Sequence, residues 1–288
     1  LLLLLGLLPL LAAAFLWLAP GQSARTFLIA GVDQRSAETG PTRADVIMIM
    51  QVDPQANRVA LMSVPRDLWL PQPGGATNRI NTALAVGYDA DDLNAAPHYL
   101  MQTLAANFGV PLDGYFLLNF EAFVDVVDAV GGVDVDVPTT IVDTAYPTED
   151  YGVQTIRFEA GPQHLDGEQA LIYVRTRHQD SDFGRAARQQ QVIRAVATQI
   201  LSPRNWARIP ALMAAITQNV QSDVSPAQWP ILGRAALILA AGDVKTLVLG
   251  QEYVEPWTTE SGASVLLPRW DAINPAVHQL FTHAELVN

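Results

Sequence analysis

From residue 25 onward, short apolar runs bounded by Gly, Pro or Asp alternate with longer runs of helix formers, and this alternation restricts the fold more than any other feature. Strands are predicted at TFLIAGV (26–32), at 45–52 and at 58–64, the last two joined through Asp53-Pro54 as a hairpin. A helical stretch from Ile80 to Asn107 ends near Gly109, a C-terminal cap. A strand at 114–119, a helix at 120–130, the break Gly131-Gly132 and a strand at 133–137 follow. Helices are predicted at 168–176, 184–201, 206–219 and 226–241, then strands at 245–249 and 264–267 and a final helix after Pro275. Strands interleaved with helices imply an α/β fold, a mixed central β-sheet with helices on both faces. No repeat or linker divides residues 25–288, which read as a single domain with a C-terminal elaboration from about 203.

Ahead of this domain, LLLLLGLLPLLAAAFLWLA (1–19) carries no charge. As a helix it would span roughly 28 Å, close to the hydrocarbon core of a bilayer. The run is long for the apolar part of a signal peptide and has no distinct small-residue cleavage site, so it reads as an uncleaved membrane anchor. With no initiator methionine, the sequence is expected to start inside a gene product, the basic residues that orient the anchor lying before Leu1. Residues 20–24 form a short juncture that keeps the domain close to the membrane.

The 288 residues are half apolar, enough for a sizeable core, and contain no cysteine. A disulfide scaffold and thiolate metal sites are excluded, which leaves any metal with oxygen or imidazole ligands and favours hard cations such as magnesium. A formal net charge of -12 argues against a nucleic-acid partner. Positive charge must then be local. Sixteen of the seventeen basic residues are arginine, and Arg175, Arg177, Arg185 and Arg188 fall within fourteen positions.

Three polar groups stand at strand ends or helix starts, where open α/β sheets place ligands. In GVDQRS and TRADVIMIM, Asp33 and Asp45 can converge at the sheet edge and hold a divalent cation, although each alone also fits a turn or strand flank. In SVPRDLWLP and NRIN, Arg66, Arg79 and Asn81 suit an anion near a helix start, while Arg66-Asp67 also fits a surface ion pair. The third group, YVRTRHQDSDFGRAARQQQVI, is the most specific. Arg175 and Arg177 point the same way in an extended segment, and Arg185, Arg188 and Gln189 share one helix face. Guanidiniums aimed at one locus repel unless an anion lies between them, and their fork suits phosphate. Asp180 and Asp182 are placed to hold them apart in the empty site.

In this order, FLIAGVD, TRADVIMIM, SVPRDLWL, NRINTAL, FVDVVDAVGGVDVDVP and LDGEQALIYVRTRHQDSDFGRAARQQQVI resemble the motif series of the LytR-CpsA-Psr family, over about residues 25–201. The resemblance implies a single-pass protein of the cytoplasmic membrane with its domain outside. Such a protein binds a polyprenyl-pyrophosphate-linked glycan with magnesium and transfers the glycan phosphate to a peptidoglycan acceptor. Carried over, Asp33 and Asp45 match the metal-associated aspartates, with Arg43 beside them at the reacting centre. Arg66, Arg175, Arg177, Arg185 and Gln189 match the groups around the pyrophosphate. Arg79 stands where the family more often has lysine, and Asn81, Asp182 and Arg188 are secondary candidates.

On this reading a sugar hydroxyl attacks the phosphorus that carries the glycan, and positioning with charge stabilisation supplies most of the rate. His98, His164, His178, His278 and His283 show no metal-ligand spacing. An apolar channel for the prenyl chain is expected near Phe116, Phe120, Phe123 and Val124, which also suit an ordinary core. A hydrolase acting on the same bond and a lipid-binding regulator without turnover remain the alternatives; acids opposite an arginine cluster favour an enzyme.

Overall fold

The structure is a computed structural model that describes residues 23–33, 40–148, 152–176, 182–242 and 244–281. In chain order the elements are β1 (Arg25–Val32), β2 (Ala44–Asp53), β3 (Arg58–Ser63), β4 (Trp69–Pro71), β5 (Thr77–Arg79), α1 (Ala95–Phe108), β6 (Gly114–Leu118), α2 (Phe120–Ala129), β7 (Val133–Val137), β8 (Ile141–Pro147), β9 (Val153–Phe158), β10 (Gly161–Leu165), α3 (Gly167–Arg175), α4 (Asp182–Leu201), α5 (Ile209–Asn219), β11 (Gln221–Ser222), α6 (Trp229–Ala241), β12 (Val244–Val248), β13 (Val254–Thr258), β14 (Ser264–Pro268) and α7 (Trp270–Leu280).

A six-stranded sheet in the order β11-β6-β1-β2-β3-β12 forms the centre. It is mixed, because β1 runs parallel to β6 and β3 parallel to β12 while β2, between β1 and β3, is antiparallel to both. Helices cover both faces, so the middle of β2, Val46 to Met50, reads as a continuous apolar run. On one face Leu28, Ala30 and Ile49 pack with Leu104 of α1 and Ile273 of α7. On the other, Phe27, Met48 and Leu61 pack with Ala197 of α4 and Ile231 and Ala235 of α6. A further core joins α2, α3 and α4 to the β7–β10 and β8–β9 pairs around Val133, Phe158, Tyr173 and Val192. Helix α4 therefore belongs to two cores.

Local signals explain the boundaries near this junction. The Asn119 side chain accepts from the Ala122 N–H at 2.8 Å and starts α2. Asp166 and Gln169 form a capping box that starts α3. Gly109, left-handed at φ 64°, ends α1 as expected.

The structure corrects several sequence expectations. The single helix expected over 80–107 is broken: helical turns end at Gly87, and α1 begins only at Ala95. Between them Asp89 and Asp92 accept hydrogen bonds from the N–H groups of Asp91 and Asn94, local bonds that compete with a helix. The last helix begins at Trp270 and contains Pro275 instead of following it. Residues beyond 203 supply β11 and β12, the two edges of the central sheet, together with α6 on one of its faces. Among the described residues no helix is long and apolar enough to cross a membrane; the run at 1–19 lies outside them.

Gly167 marks a close approach of α3 to α2. A Cβ there would stand 2.5 Å from the Val124 carbonyl oxygen, so any side chain must separate the helices. Gly167→Ala is expected to lower the unfolding free energy by about 1–3 kcal/mol, read as a lower urea midpoint; an unchanged midpoint would show that the contact is not tight.

Candidate active site

The two cores that share α4 leave a cavity of about 500 Å³ between them. Its walls come from β1 and β2 (Ile29, Met48), the end of β6 (Leu118), α2 (Phe120, Phe123, Val126), α3 (Leu171, Val174), α4 (Val192, Ile193, Val196) and β8. Most of this lining is apolar. The charged and polar groups on it are Asp33, Asp45, Asp143, Arg175, Arg185 and Gln189, with Tyr146, Asn119 and Thr176. A second cavity of about 30 Å³, lined by Arg66, Asp67 and Ser63, shares Asp45, Arg185 and Gln189 with the first.

Two irregular strand pairings aim residues at the large cavity. Gly31 pairs with Val46 and Val32 with Ala44, so Asp45 is the extra residue of a β-bulge. Strict alternation would put Asp45 on the same side as Ile47, in the opposite core; the bulge lets both Asp45 and Val46 line the cavity. In the other hairpin, Asp143 pairs with Ile156 and Tyr146 with Gln154, three steps against two. Without that bulge Asp143 and Tyr146 would point to opposite sides of β8; with it both reach the cavity.

The sequence candidates divide into those the fold gathers and those it does not. Asp33, Asp45, Arg175, Arg185 and Gln189 line one cavity. Arg66 joins them through an ion pair to Asp45 at 2.5 Å, and its Nε lies 3.5 Å from Asp67. Arg79 does not join: it faces Asp67 at 3.4 Å and donates to the Ser264 carbonyl at 2.6 Å, tying β5 to β14. Arg43 is exposed and lines neither cavity. Asn81 is buried and its N–H donates to the Arg66 carbonyl, which steadies that loop. Arg188 also turns away from the cavity. At 100° per residue it and Gln189 flank Arg185 on opposite sides, and Arg188 faces the end of α3, where it donates to the Tyr173 and Thr176 carbonyls at 2.7 and 2.5 Å. Arg175 is the last residue of α3 and so is not part of the extended segment expected at 175–177. Asp182 opens α4, while Arg177, His178, Asp180 and His283 lie outside the described residues. Of the channel candidates, Phe120 and Phe123 line the cavity, Phe116 packs on Phe27, and Val124 lies against Gly167.

Asp143 and Tyr146 were missed by sequence reasoning. They belong to a hairpin with no turn motif that the strand reading singled out, and only the bulge turns them inward. Tyr146 bears on Arg175, whose guanidinium carbon sits 3.9 Å from the centre of the Phe120 ring and 5.8 Å from that of Tyr146. Arg175 also donates to the Tyr146 hydroxyl at 3.4 Å and lies 3.9 Å from Asp33. Burial pushes the Tyr146 hydroxyl above the ordinary tyrosine range, and nearby Arg175 opposes that shift.

Among the described residues no group of three or more His, Cys, Asp or Glu side chains could hold a metal ion. Asp33 and Asp45 on one cavity wall nevertheless fit magnesium, which commonly takes only one or two protein carboxylates and completes its shell with phosphate and water. Of the histidines, His98 faces Asp223 and His164 faces Asp134, and neither lines a cavity.

A family model described as the LytR_cpsA_psr family matches residues 19–275. Among curated relatives, the polyisoprenyl-teichoic acid–peptidoglycan teichoic acid transferase TagV of Bacillus subtilis is 30% identical over 204 residues, 69% of this chain and 49% of the relative. The transferase of the same description, TagU, of Oceanobacillus iheyensis is 32% identical over 205 residues, 70% of this chain and 60% of the relative. The chain thus spans about half to three fifths of the length of these relatives. The crystal structure of B. subtilis TagV superposes with a TM-score of 0.71 at 24% identity, covering 92% of this chain and 99% of that one. A structure of TagT bound to LIIa-WTA gives 0.69 at 22% identity and covers 92% of each chain. These superpositions establish a shared fold.

The raised Tyr146 hydroxyl fixes the sign of an alkaline effect. Its contribution is fully present below the unfolded tyrosine value of about 10. Above that pH the unfolded chain loses the proton before the native state does, so stability falls as pH rises. The urea midpoint of the wild type is expected to drop more between about pH 9 and 11 than that of Tyr146→Phe; parallel profiles would contradict the burial of this hydroxyl.

Proposed function

The chain belongs to the LytR_cpsA_psr family, and from that premise we propose that it transfers a glycan phosphate from a polyprenyl-pyrophosphate carrier to a peptidoglycan hydroxyl at the outer face of the cytoplasmic membrane. One observation carries the reading: a cavity of about 500 Å³ whose walls are mostly apolar holds Asp33, Asp45, Arg175, Arg185 and Gln189 on the same lining. A hydrocarbon tail with a phosphate-rich head needs both surfaces at once. The volume falls in the range of ligand pockets, roughly 300–1,000 Å³. The names of the relatives, transferases of polyisoprenyl-linked teichoic acid to peptidoglycan, support the same class of carrier and acceptor. We assign the uncharged run at 1–19 as the anchor that keeps the domain, residues 25–288, at the bilayer surface.

In this mechanism Arg175 and Arg185 bind the pyrophosphate, their forked donors matching its oxygens, and Gln189 offers an amide from the same helix face as Arg185. Phe120 and Tyr146 fix the plane of the Arg175 guanidinium, so less rotamer freedom is lost on binding. Arg66 holds the Asp45 carboxylate in place. The acceptor hydroxyl forms its bond to the phosphorus bearing the glycan, the bond from that phosphorus to the bridging oxygen breaks, polyprenyl phosphate leaves, and the hydroxyl proton passes to solvent. Asp33 and Asp45 are the residues that would hold magnesium, whose charge would offset that of the pyrophosphate. Exclusion of water by the apolar walls strengthens each of these charge interactions.

Labelled polyprenyl-pyrophosphate-glycan incubated with magnesium, with and without peptidoglycan, tests the reading by thin-layer analysis. Label moving into peptidoglycan supports transfer, acceptor-independent release means hydrolysis, and binding without product means a lipid-binding regulator. In the transfer assay Arg175→Lys should reduce kcat/KM about tenfold or more, since an ammonium cannot form the fork, whereas the exposed Arg204→Lys should be neutral. Equal rates would remove the shaped head-group site.

Tail and head should act separately on affinity. Each tail methylene removed from water contributes at most ~0.8 kcal/mol, so a soluble form starting near Ser23 should bind prenyl pyrophosphates more tightly as the tail lengthens. Raised salt should weaken all members of the series by a similar factor. Length-independent binding would place the tail outside the protein.

A further inference from the structure

Thr176 follows Arg175 where the chain leaves α3, and three elements fasten it. It is 2% exposed, and its Oγ1 donates to the Asp143 carboxylate at 2.7 Å. Its N–H donates to the Ile172 carbonyl at 3.0 Å in the last turn of α3. Its own carbonyl accepts from Arg188 Nη2 at 2.5 Å, while Arg188 Nε donates to the Tyr173 carbonyl at 2.7 Å. One guanidinium from α4 thereby satisfies two carbonyls at the helix end that would otherwise be left open. Asp143, also 2% exposed, accepts the Ala145 N–H at 3.0 Å across the bulge of β8.

We propose that Asp143, Thr176 and Arg188 form a positioning unit that sets the Arg175 guanidinium for a pyrophosphate head group; this rests on the reading of the cavity as a prenyl-pyrophosphate site. The Asp143–Thr176 bond joins the backbone that carries Arg175 to the strand that carries Tyr146, three residues beyond Asp143. Arg175 touches the Tyr146 hydroxyl on one side and the Phe120 ring on the other. Without the bond, the strand and the helix end are free to separate, and among the described residues the guanidinium keeps its Phe120 stack and its distant ion pair with Asp33. Arg188 acts from the other side and fixes the same peptide. Its donors are engaged with helix carbonyls, so it acts through Arg175 and does not line the cavity. The core of α3 rests on Ala170 and Tyr173, away from this bond, so the unit can be loosened without unfolding the helix.

The test compares Thr176→Val, which removes the donor and keeps the shape, with Thr176→Ser, which keeps the donor, in the full chain held in detergent. The probes are geranylgeranyl pyrophosphate and geranylgeraniol, measured by calorimetry. Thr176→Val should bind the pyrophosphate roughly tenfold more weakly, because the Arg175 guanidinium is no longer held ready and must be ordered on binding, and bind the alcohol as the wild type does. Thr176→Ser should restore pyrophosphate affinity to within about twofold. Asp143→Ala, which removes the acceptor, should resemble Thr176→Val, and the double variant should lose no more than either single one. Pyrophosphate binding by Thr176→Val equal to that of the wild type, or an equal loss for both probes, overturns the positioning role. A wild type that prefers the pyrophosphate in an Arg175-dependent way leaves the cavity reading standing in that event; a wild type with no such preference overturns both.

Discussion

Helix α4 needs burial on two sides, and that need shapes the site. Val192 and Ala195 pack into the outer core with α2, α3 and the small sheets, while Ala197 packs on the central sheet beside α6. Its polar residues are pinned as well: Gln190 donates to Ser63 at 2.9 Å and Gln191 accepts from the Tyr173 hydroxyl at 2.8 Å. A helix held between two cores cannot move to fill the seam. The seam stays open as a cavity, and the exposed-looking arginines of the sequence are carried to its edge.

Charge follows from that geometry. Arg185 is only 8% exposed and lines both cavities with Asp45. A guanidinium so far from water must be compensated, and the acids that the bulged β2 and the end of β1 supply stand where compensation is needed. Asp45 with Arg66 and Asp33 with Arg175 make the site nearly balanced before any ligand enters.

The apolar and the charged parts of the lining come from different positions along shared elements: α4 carries Arg185 and Gln189 in its first half and Val192, Ile193 and Val196 further on, and β2 carries Asp45 at its bulge and Met48 beyond it. Residues from α2, α4 and the sheet face line the apolar length, whereas Asp33, Asp45, Asp143 and Arg175 stand at strand ends, bulges and a helix end. Bulges and helix ends are where backbone geometry departs from regular period, so polar side chains can be aimed there without disturbing the core.

Much of this was legible in the sequence. The order of the helices and of β1, β2, β3, β6, β7, β12 and β14 followed from apolar period and from breakers such as Gly109 and Gly131-Gly132, because a local period depends only on neighbouring residues, whereas β4, β5, β8 to β11 and β13 were not read from the sequence. The motif series that carried the family resemblance also located Asp33, Asp45, Arg175 and Arg185, which stand beside a strand or helix boundary visible in the chain, and Gln189, one turn beyond Arg185. The rest was decided by pairing between distant segments. That Asp45 reaches the cavity depends on its unpaired place opposite β1, and Asp143 and Tyr146 depend on an uneven match with β9. Arg188 and Arg79 were turned to helix and strand carbonyls by neighbours more than ten residues away in the chain. Register and helix-end contacts are properties of two segments together, and no single segment's pattern contains them.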